Sequence, residues 1–318
     1  MSAIYALLLI VLPVFLLVAF GYGAVRTRLF SEKGVDWLIA FATNIAVPAL
    51  LFRSVYQLDL EASLRIGHLA SFYLAATTCF ALAALACNRF FGRRPGEAVA
   101  LGFSALFSNS VLLGLPVYAR AYGEGAMEPV YAIIAFHAGY CYLIGILTME
   151  FSRRDGVSPF EALRRSLRSI FRNALTVSIM LGFAFNLSGL PLPAPVMGMI
   201  DMLAAASLPV ALFGLGGVLT RYKVTRVQPE SLMIAGFSLL VHPMLAWLLA
   251  TQVFALDEGF VRAAVVLAAM PPGVNGYLFA AMYGRAVGAA ASTVLIATVL
   301  SLLTITGWLW FLGGAALG

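Results

Sequence analysis

Two short stretches of this chain place prolines, glycines and small polar side chains inside otherwise apolar sequence. Residues 108–116 read SNSVLLGLP and residues 271–276 read PPGVNG. Proline lacks the N–H group that a helix needs and glycine stabilises a helix poorly, so both stretches predict unwound backbone. The free N–H groups at the start of the helix that follows an interruption favour a negative charge. The chemistry that these residues predict is therefore reversible binding of an anion.

Two asparagines strengthen this prediction. Asn109 and Asn275 add neutral amide donors without the cost of burying a full positive charge, and a carboxylate suits such donors. One isolated proline could simply kink a membrane helix, but two equivalent interruptions, each with an asparagine, favour a substrate site. The predicted substrate-binding residues are Asn109, Ser110, Gly114, Pro116, Pro271, Pro272, Val274 and Asn275.

The two stretches occupy equivalent places in a duplicated chain. Residues 48–52 read PALLF and residues 209–213 read PVALF, which is 161 positions later. The dipeptide YG at 122–123 recurs at 283–284 with the same offset. Each copy would hold five hydrophobic segments, and because five is odd, the second copy must enter the bilayer from the opposite side. An inverted repeat with broken helices is the architecture of many secondary carriers.

The composition of the chain indicates that membrane helices position these residues. Hydrophobic residues make up 62% of the 318 residues and charged residues only 11%, whereas a soluble domain has roughly 25% charged residues. A helix that crosses the hydrocarbon core needs about 20 predominantly apolar residues. The ten predicted segments are 4–22, 35–52, 68–87, 98–118, 130–149, 173–187, 197–219, 231–254, 261–282 and 289–312.

The predicted fold is an all-α integral membrane protein with ten transmembrane helices. The helices form a 5+5 inverted repeat in which segments 4 and 9 are broken and cross each other. Residues 1–152 form the first five-helix repeat, residues 153–172 form a basic cytoplasmic linker, and residues 173–318 form the second, inverted repeat.

The distribution of positive charge predicts the orientation. The connections that follow odd-numbered segments carry 16 of the 20 Lys and Arg residues. By the positive-inside rule, the protein lies in the cell membrane with both termini extracytoplasmic and the 153–172 linker in the cytoplasm. The arginines of this linker suit anionic lipid headgroups, and no nucleic-acid partner is expected.

Four stretches resemble the auxin efflux carrier family in its compact bacterial form: 44–52, 108–116, 270–275 and 292–295. They occur in the family's order and span essentially the whole chain. The resemblance implies ten transmembrane helices, a scaffold domain, a transport domain with crossed helices, and transport of organic anions by alternating access. In plant relatives an asparagine of the fourth segment holds a carboxylate, a role that would fall to Asn109. Bacterial relatives include proposed malate and malonate carriers, so auxin itself is not the expected substrate.

The candidates for ion or proton coupling are few. His137 and His242 lie in segments 5 and 8, and an ionisable group inside the membrane is a functional hypothesis by default. A neutral histidine that is hydrogen-bonded between helices is the alternative. Asp201, near the outer end of segment 7, and Asn44 complete the set. Sodium and bile-acid symporters resemble this layout but carry an acidic residue beside the second break, whereas residues 263–283 contain none.

The sequence leaves three alternatives to an organic-anion carrier. The alternative carrier is a sodium-coupled symporter of the bile-acid type. A channel fits a self-contained inverted repeat less well. An enzyme is not expected, because the chain has no HExxH or GxSxG motif.

Cys79, Cys87 and Cys141 lack metal-ligand spacing, so neither a metal nor a cofactor is expected. The sequence leaves the oligomeric state open, with a homodimer as one choice.

Overall fold

A computed structural model describes residues 3–58, 65–153, 174–222 and 228–313. Within these ranges the regular structure is helical, with one isolated β-bridge. The helices of the first half are α1 (Ala3–Arg26), α2 (Glu32–Tyr56), α3 (Ile66–Phe91), α4 (Pro95–Leu106), α5 (Leu115–Tyr122) and α6 (Glu128–Arg153). Those of the second half are α7 (Ala174–Ser188), α8 (Ala194–Leu219), α9 (Pro229–Val253), α10 (Glu258–Ala268), α11 (Val274–Tyr283) and α12 (Val287–Phe311).

Seven of the described helices are long and apolar enough to cross a membrane: α1, α2, α3, α6, α8, α9 and α12. The apolar helix α7 is shorter, with 15 residues. The chain is therefore a multi-pass, helical membrane protein, and the prediction of an all-α membrane protein is confirmed. The predicted basic linker, 153–172, lies outside the described residues except at Arg153.

The four remaining helices are short and form two pairs, α4 with α5 and α10 with α11. Helix α4 ends at Leu106, and a π-helical turn over Ser110–Gly114 leads into α5. Helix α10 ends at Ala268, and α11 begins at Val274. Predicted segments 4 and 9 are therefore each interrupted. Pro271 and Pro272 fall inside the second interruption, where two adjacent residues without an N–H group cannot continue a helix.

Glycines bring α1 and α8 into direct backbone contact. A Cβ atom added to Gly216 would lie 1.9 Å from the carbonyl oxygen of Val18, and one added to Gly21 would lie 2.1 Å from the carbonyl oxygen of Phe213. Small residues permit this close approach of helices in membranes. At the next residue of α8, a Cβ on Gly217 would lie 2.5 Å from a methyl carbon of Val35 in α2. Helices α1, α2 and α8 thus pack as one tight layer.

A second close contact joins α4, which precedes the first interruption, to α11, which follows the second. The rings of Phe103 and Phe279 stack with centroids 3.9 Å apart. A Cβ on Gly276 would lie 2.7 Å from the hydroxyl oxygen of Ser104, so a larger side chain there would push the helices apart. This packing holds the two interruptions at a fixed distance from each other.

Candidate functional site

The two interruptions contact each other through their backbones. Ser108 and Pro272 form the isolated antiparallel β-bridge, and the N–H of Asn109 donates to the carbonyl oxygen of Pro271 at 2.8 Å. The N–H of Ser110 donates to the carbonyl oxygen of Ser108, also at 2.8 Å. Buried backbone polar groups must find partners, and here part of each unwound stretch supplies partners for the other.

Other backbone donors at the interruptions stay free. No hydrogen bond in the described part of the chain uses the N–H groups of Val111 and Leu112, which follow the first interruption, or those of Val274 and Asn275, which follow the second. These donors belong to the first turn after each interruption, where a helix has N–H groups without internal partners and a partial positive charge. All four residues line the same cavity.

This cavity, called the inner cavity below, has a volume of about 380 Å³. It lies between the interruptions, α2, α6, α7 and α8. Most of its wall is apolar, as in typical small-molecule sites. Polar side chains line one part of it: Thr43, Asn44, Ser108, Asn109, Ser110, His137, Tyr142, Thr176 and Asn275. The side chain of Asn109 is almost buried, with 7% exposed. The arrangement offers amide, hydroxyl and backbone donors to a small polar ligand.

Half of the predicted binding residues meet at the inner cavity, and half lie outside its wall. Asn109, Ser110, Val274 and Asn275 line it, together with the coupling candidates Asn44 and His137. The residues outside the wall are Gly114, Pro116, Pro271 and Pro272. Those prolines and that glycine shape the backbone around the cavity. For example, a Cβ on Gly114 would lie 2.7 Å from a methyl carbon of Leu267, so the glycine allows α10 to approach.

The two candidate histidines have different surroundings. Nε2 of His137 lies 3.1 Å from the carbonyl oxygen of Ser108, and because a carbonyl can only accept, this nitrogen must carry the hydrogen. Its Nδ1 lies 3.7 Å from Sγ of Cys141. His242 is fully buried away from the inner cavity and packs against the ring of Phe72, with centroids 5.3 Å apart. Thus His137 is tied to the first interruption, and His242 is not.

Four polar side chains of the cavity wall are not among the residues predicted from the sequence: Thr43, Ser108, Tyr142 and Thr176. Thr43 lies in a π-helical turn of α2, Ala42–Ala46, and such turns occur frequently at functional sites. The sequence contains no local signal for this turn. Tyr142 lies in an apolar helix where an aromatic residue reads as ordinary core.

Comparison with known proteins gives the family. Residues 7–309 match the family described as membrane transport protein. The chain belongs to the membrane transport protein family. A protein of Rhizobium meliloti (strain 1021) named "putative malonate transporter" is 30% identical over 309 residues, covering 97% of this chain and 96% of the relative.

More distant members of the membrane transport protein family match over similar lengths. An "uncharacterized transporter" of Methanothermobacter thermautotrophicus is 26% identical over 301 residues, which cover 94% of this chain and 96% of the relative. "Auxin efflux carrier component 5" of Arabidopsis thaliana is 21% identical over 342 aligned positions, which cover 94% of each chain. The resemblance to the auxin efflux carrier family is confirmed, and the protein is a membrane transporter.

For a member of the membrane transport protein family, a second cavity is informative. It has a volume of about 970 Å³ and shares three walls with the inner cavity. On α2, Leu51 lines the inner cavity and Leu50 the outer one; on α6, Ile134 lines the inner cavity, and Tyr131, one turn away, lines the outer one. Pro116 lines this outer cavity. The two cavities therefore share walls formed by α2, α6 and α8.

The coupling candidate Asp201 lies near the outer cavity, not the inner one. Its carboxylate pairs with Arg53 of α2 at 3.4 Å, and its side chain is 50% exposed. At the other end of the same helix pair, Asp36 of α2 pairs with Arg221 at 2.7 Å. Exposed pairs of this kind contribute little to stability. An Arg–Asp pair thus lies at each end of the contact between α2 and α8.

Proposed function

We propose that this protein is a secondary carrier of small organic anions that binds a carboxylate between the two helix interruptions. The observation that carries the proposal is the convergence of Asn109 and Asn275, one from each interruption, on one cavity that also receives free backbone N–H groups. Charge-assisted hydrogen bonds from amide and backbone donors are the interactions that a carboxylate prefers. The relative named as a malonate transporter makes malonate the first carboxylate to test.

The proposed mechanism is alternating access between the two cavities. The turn that separates them is made of buried apolar side chains, including Leu51, Leu115 and Ile134. In the proposed mechanism, these side chains separate the anion site from the outer cavity. Opening this turn while the inner side closes would deliver the bound anion to the opposite face.

We also propose the ten-segment inverted repeat. One pair of contacts supports it: Gly21 packs on the carbonyl oxygen of Phe213, and Gly182 packs on the carbonyl oxygen of Phe52. Gly182 lies 161 positions after Gly21, and Phe213 lies 161 positions after Phe52. The same contact therefore occurs twice with the roles of the two halves exchanged, which is the pattern that a two-fold relation between repeats produces.

The functional test is substrate counterflow. Purified protein in liposomes that are preloaded with unlabelled malonate should take up labelled malonate faster than protein in empty liposomes. Only a carrier is accelerated by substrate on the far side. Uptake that ignores the internal malonate would indicate a channel. If liposomes loaded with acetate, malonate or succinate all fail to exchange, the proposal of a carboxylate carrier is wrong.

The proposed orientation predicts the outcome of cysteine labelling. Lys33 lies in the first turn of α2, next to the connection from α1, and Gly125 lies between α5 and α6; both are exposed. By the positive-inside rule, Lys33→Cys should react with a membrane-impermeant maleimide only from the cytoplasm and Gly125→Cys only from outside. The three native cysteines are buried, so the parent protein serves as the unlabelled control. Labelling of both variants from the same side would contradict the orientation.

His137 offers a test of proton coupling. We expect His137→Gln to keep most of the malonate uptake, because a glutamine amide can still donate to the Ser108 carbonyl. The uptake should also keep its response to a pH gradient if His137 only holds the first interruption and carries no proton. His137→Ala should lose roughly five- to ten-fold, since it removes that hydrogen bond. Uptake into liposomes with and without an imposed pH gradient measures both effects. If His137→Gln retains malonate binding but no longer responds to the gradient, His137 carries the proton.

A further inference from the structure

One hydrogen bond fixes the orientation of an amide in the proposed anion site. The hydroxyl of Tyr142 on α6 donates to Oδ1 of Asn275 on α11 at 3.1 Å, and both side chains line the inner cavity. The Tyr142 ring is itself held by two neighbours, Phe103 and Phe107, with centroid distances of 5.6 and 5.7 Å. A packed aromatic ring thus presents its hydroxyl to the asparagine from a defined position.

The orientation of this amide decides which charge the site accepts. An asparagine side chain has an accepting end, Oδ1, and a donating end, Nδ2, and rotation by half a turn exchanges them. Because Tyr142 occupies Oδ1, the Nδ2 group remains, with no hydrogen-bond partner among the described residues. A phenol hydroxyl donates more strongly than it accepts, since its oxygen lone pair is shared with the ring. The tyrosine therefore favours the orientation that leaves a donor for the ligand.

We propose that Tyr142 is the positioning residue that makes this site select a carboxylate over a neutral analogue of the same shape. With Oδ1 held by Tyr142, the site presents N–H groups from Asn275 and the backbone to the anion. With the amide reversed, Oδ1 would face the carboxylate oxygens and repel them, whereas a neutral carboxamide could pair with either orientation. This inference rests on the proposed function, that a carboxylate binds between the interruptions.

The chain provides a matched control on the same helix. Tyr140 lies two residues before Tyr142 and does not line the inner cavity. Its hydroxyl lies 2.6 Å from Oγ1 of Thr77 on α3. Tyr140→Phe therefore removes the same atom and one interhelical hydrogen bond of α6, but leaves the proposed site intact.

The experiment measures the affinity of the purified full-length protein for acetate, malonate and succinate, and for the amide of whichever binds most tightly. Thermal stabilisation by each ligand gives the affinities. Tyr142→Phe should weaken carboxylate binding roughly ten-fold, the loss of about one hydrogen bond, while affinity for the amide stays within two-fold of the parent. Tyr140→Phe should leave both affinities unchanged. The ratio of the two affinities would not change if Tyr142 served only to hold the fold.

Two results separate the ways in which this inference could fail. If the parent protein binds a carboxylate and Tyr142→Phe keeps the parent ratio of carboxylate to amide affinity, Tyr142 does not set selectivity, although the proposed site stands. If the parent protein binds none of the carboxylates, the proposed function is wrong and the role of Tyr142 is wrong with it. Should Tyr142→Phe fail to fold, Tyr142→His is the second variant. Its shorter ring cannot bring an N–H to Oδ1 of Asn275, so the ratio of carboxylate to amide affinity should fall as expected for Tyr142→Phe; an unchanged ratio in this variant would overturn the inference.

Discussion

Asn109→Asp should abolish carboxylate transport, whereas Asn109→Ala should only weaken it. The side chain of Asn109 is almost fully buried, at the point where the two interruptions contact each other. Aspartate has nearly the same shape as asparagine but would place a negative charge in a poorly hydrated site beside an anionic ligand, where repulsion is only weakly screened. Alanine removes one hydrogen bond to a charged ligand, which costs about 1.5–3 kcal/mol, or roughly ten- to a hundred-fold in affinity.

Counterflow of malonate, measured beside the thermal stability of the ligand-free protein, checks this expectation. Asn275→Ala should weaken binding by a similar factor, because Asn275 supplies the corresponding donor from the second interruption. Asn88→Asp is the matched control: it makes the same chemical change at the end of α3, where the side chain donates to the carbonyl oxygen of Arg93 and is exposed. Transport at the parent rate by Asn109→Asp would exclude an anion site at the interruptions.

The sequence predicts the presence of both interruptions because their causes are local. Pro271 and Pro272 remove two consecutive backbone donors, and no packing can restore them. The position of the first interruption is less local. Gly114 and Pro116 suggest a break near themselves, yet the helix ends at Leu106 and a π-helical turn starts at Ser110. The bridge to Pro272, a contact between residues far apart in the chain, determines where the backbone unwinds.

The same distinction between local and distant causes applies to the site. Asn109 and Asn275 are recognisable in the sequence because a polar amide beside a helix break in an apolar segment is unusual. Tyr142 is not, since its role depends on the approach of α6 to α11 and a tyrosine in an apolar helix normally reads as packing. The offset of 161 positions is visible in the motifs around Phe52 and Phe213, but the glycines that pack against them become apparent only in the structure.

The contact between α1 and α8 should be the most sensitive part of the fold to a single methyl group. Gly216→Ala would place its Cβ 1.9 Å from the carbonyl oxygen of Val18, and Gly21→Ala would place its Cβ 2.1 Å from that of Phe213. Neither clash can be relieved by a side-chain rotation, because the opposing atom belongs to the backbone of the other helix. We expect each variant to lose more than about 4 kcal/mol of stability, a loss that few single substitutions reach, or to fail to accumulate.

Two other glycines of the same helices are controls. Gly23 in α1 and Gly198 in α8 have no heavy atom within 4 Å of an added Cβ. In an α-helix, alanine is favoured over glycine by roughly 0.5–1 kcal/mol, so Gly23→Ala and Gly198→Ala should be neutral or slightly stabilising. Thermal unfolding of the purified variants in detergent, with the yield of folded protein, measures the whole series.

Gly182 packs against Phe52 in the same way as Gly21 packs against Phe213, so Gly182→Ala tests whether the two contacts are equally tight. A Cβ there would lie 2.9 Å from Cβ of Val55 and 3.0 Å from the carbonyl oxygen of Phe52, so the clash is milder than at Gly21, which lies 161 positions earlier. The expected order of destabilisation is therefore Gly216→Ala and Gly21→Ala first, Gly182→Ala next, and the two controls last. If Gly216→Ala and Gly21→Ala unfold at the same temperature as Gly198→Ala, α1 and α8 do not meet at these glycines. The proposed inverted repeat then loses the contact that best supports it.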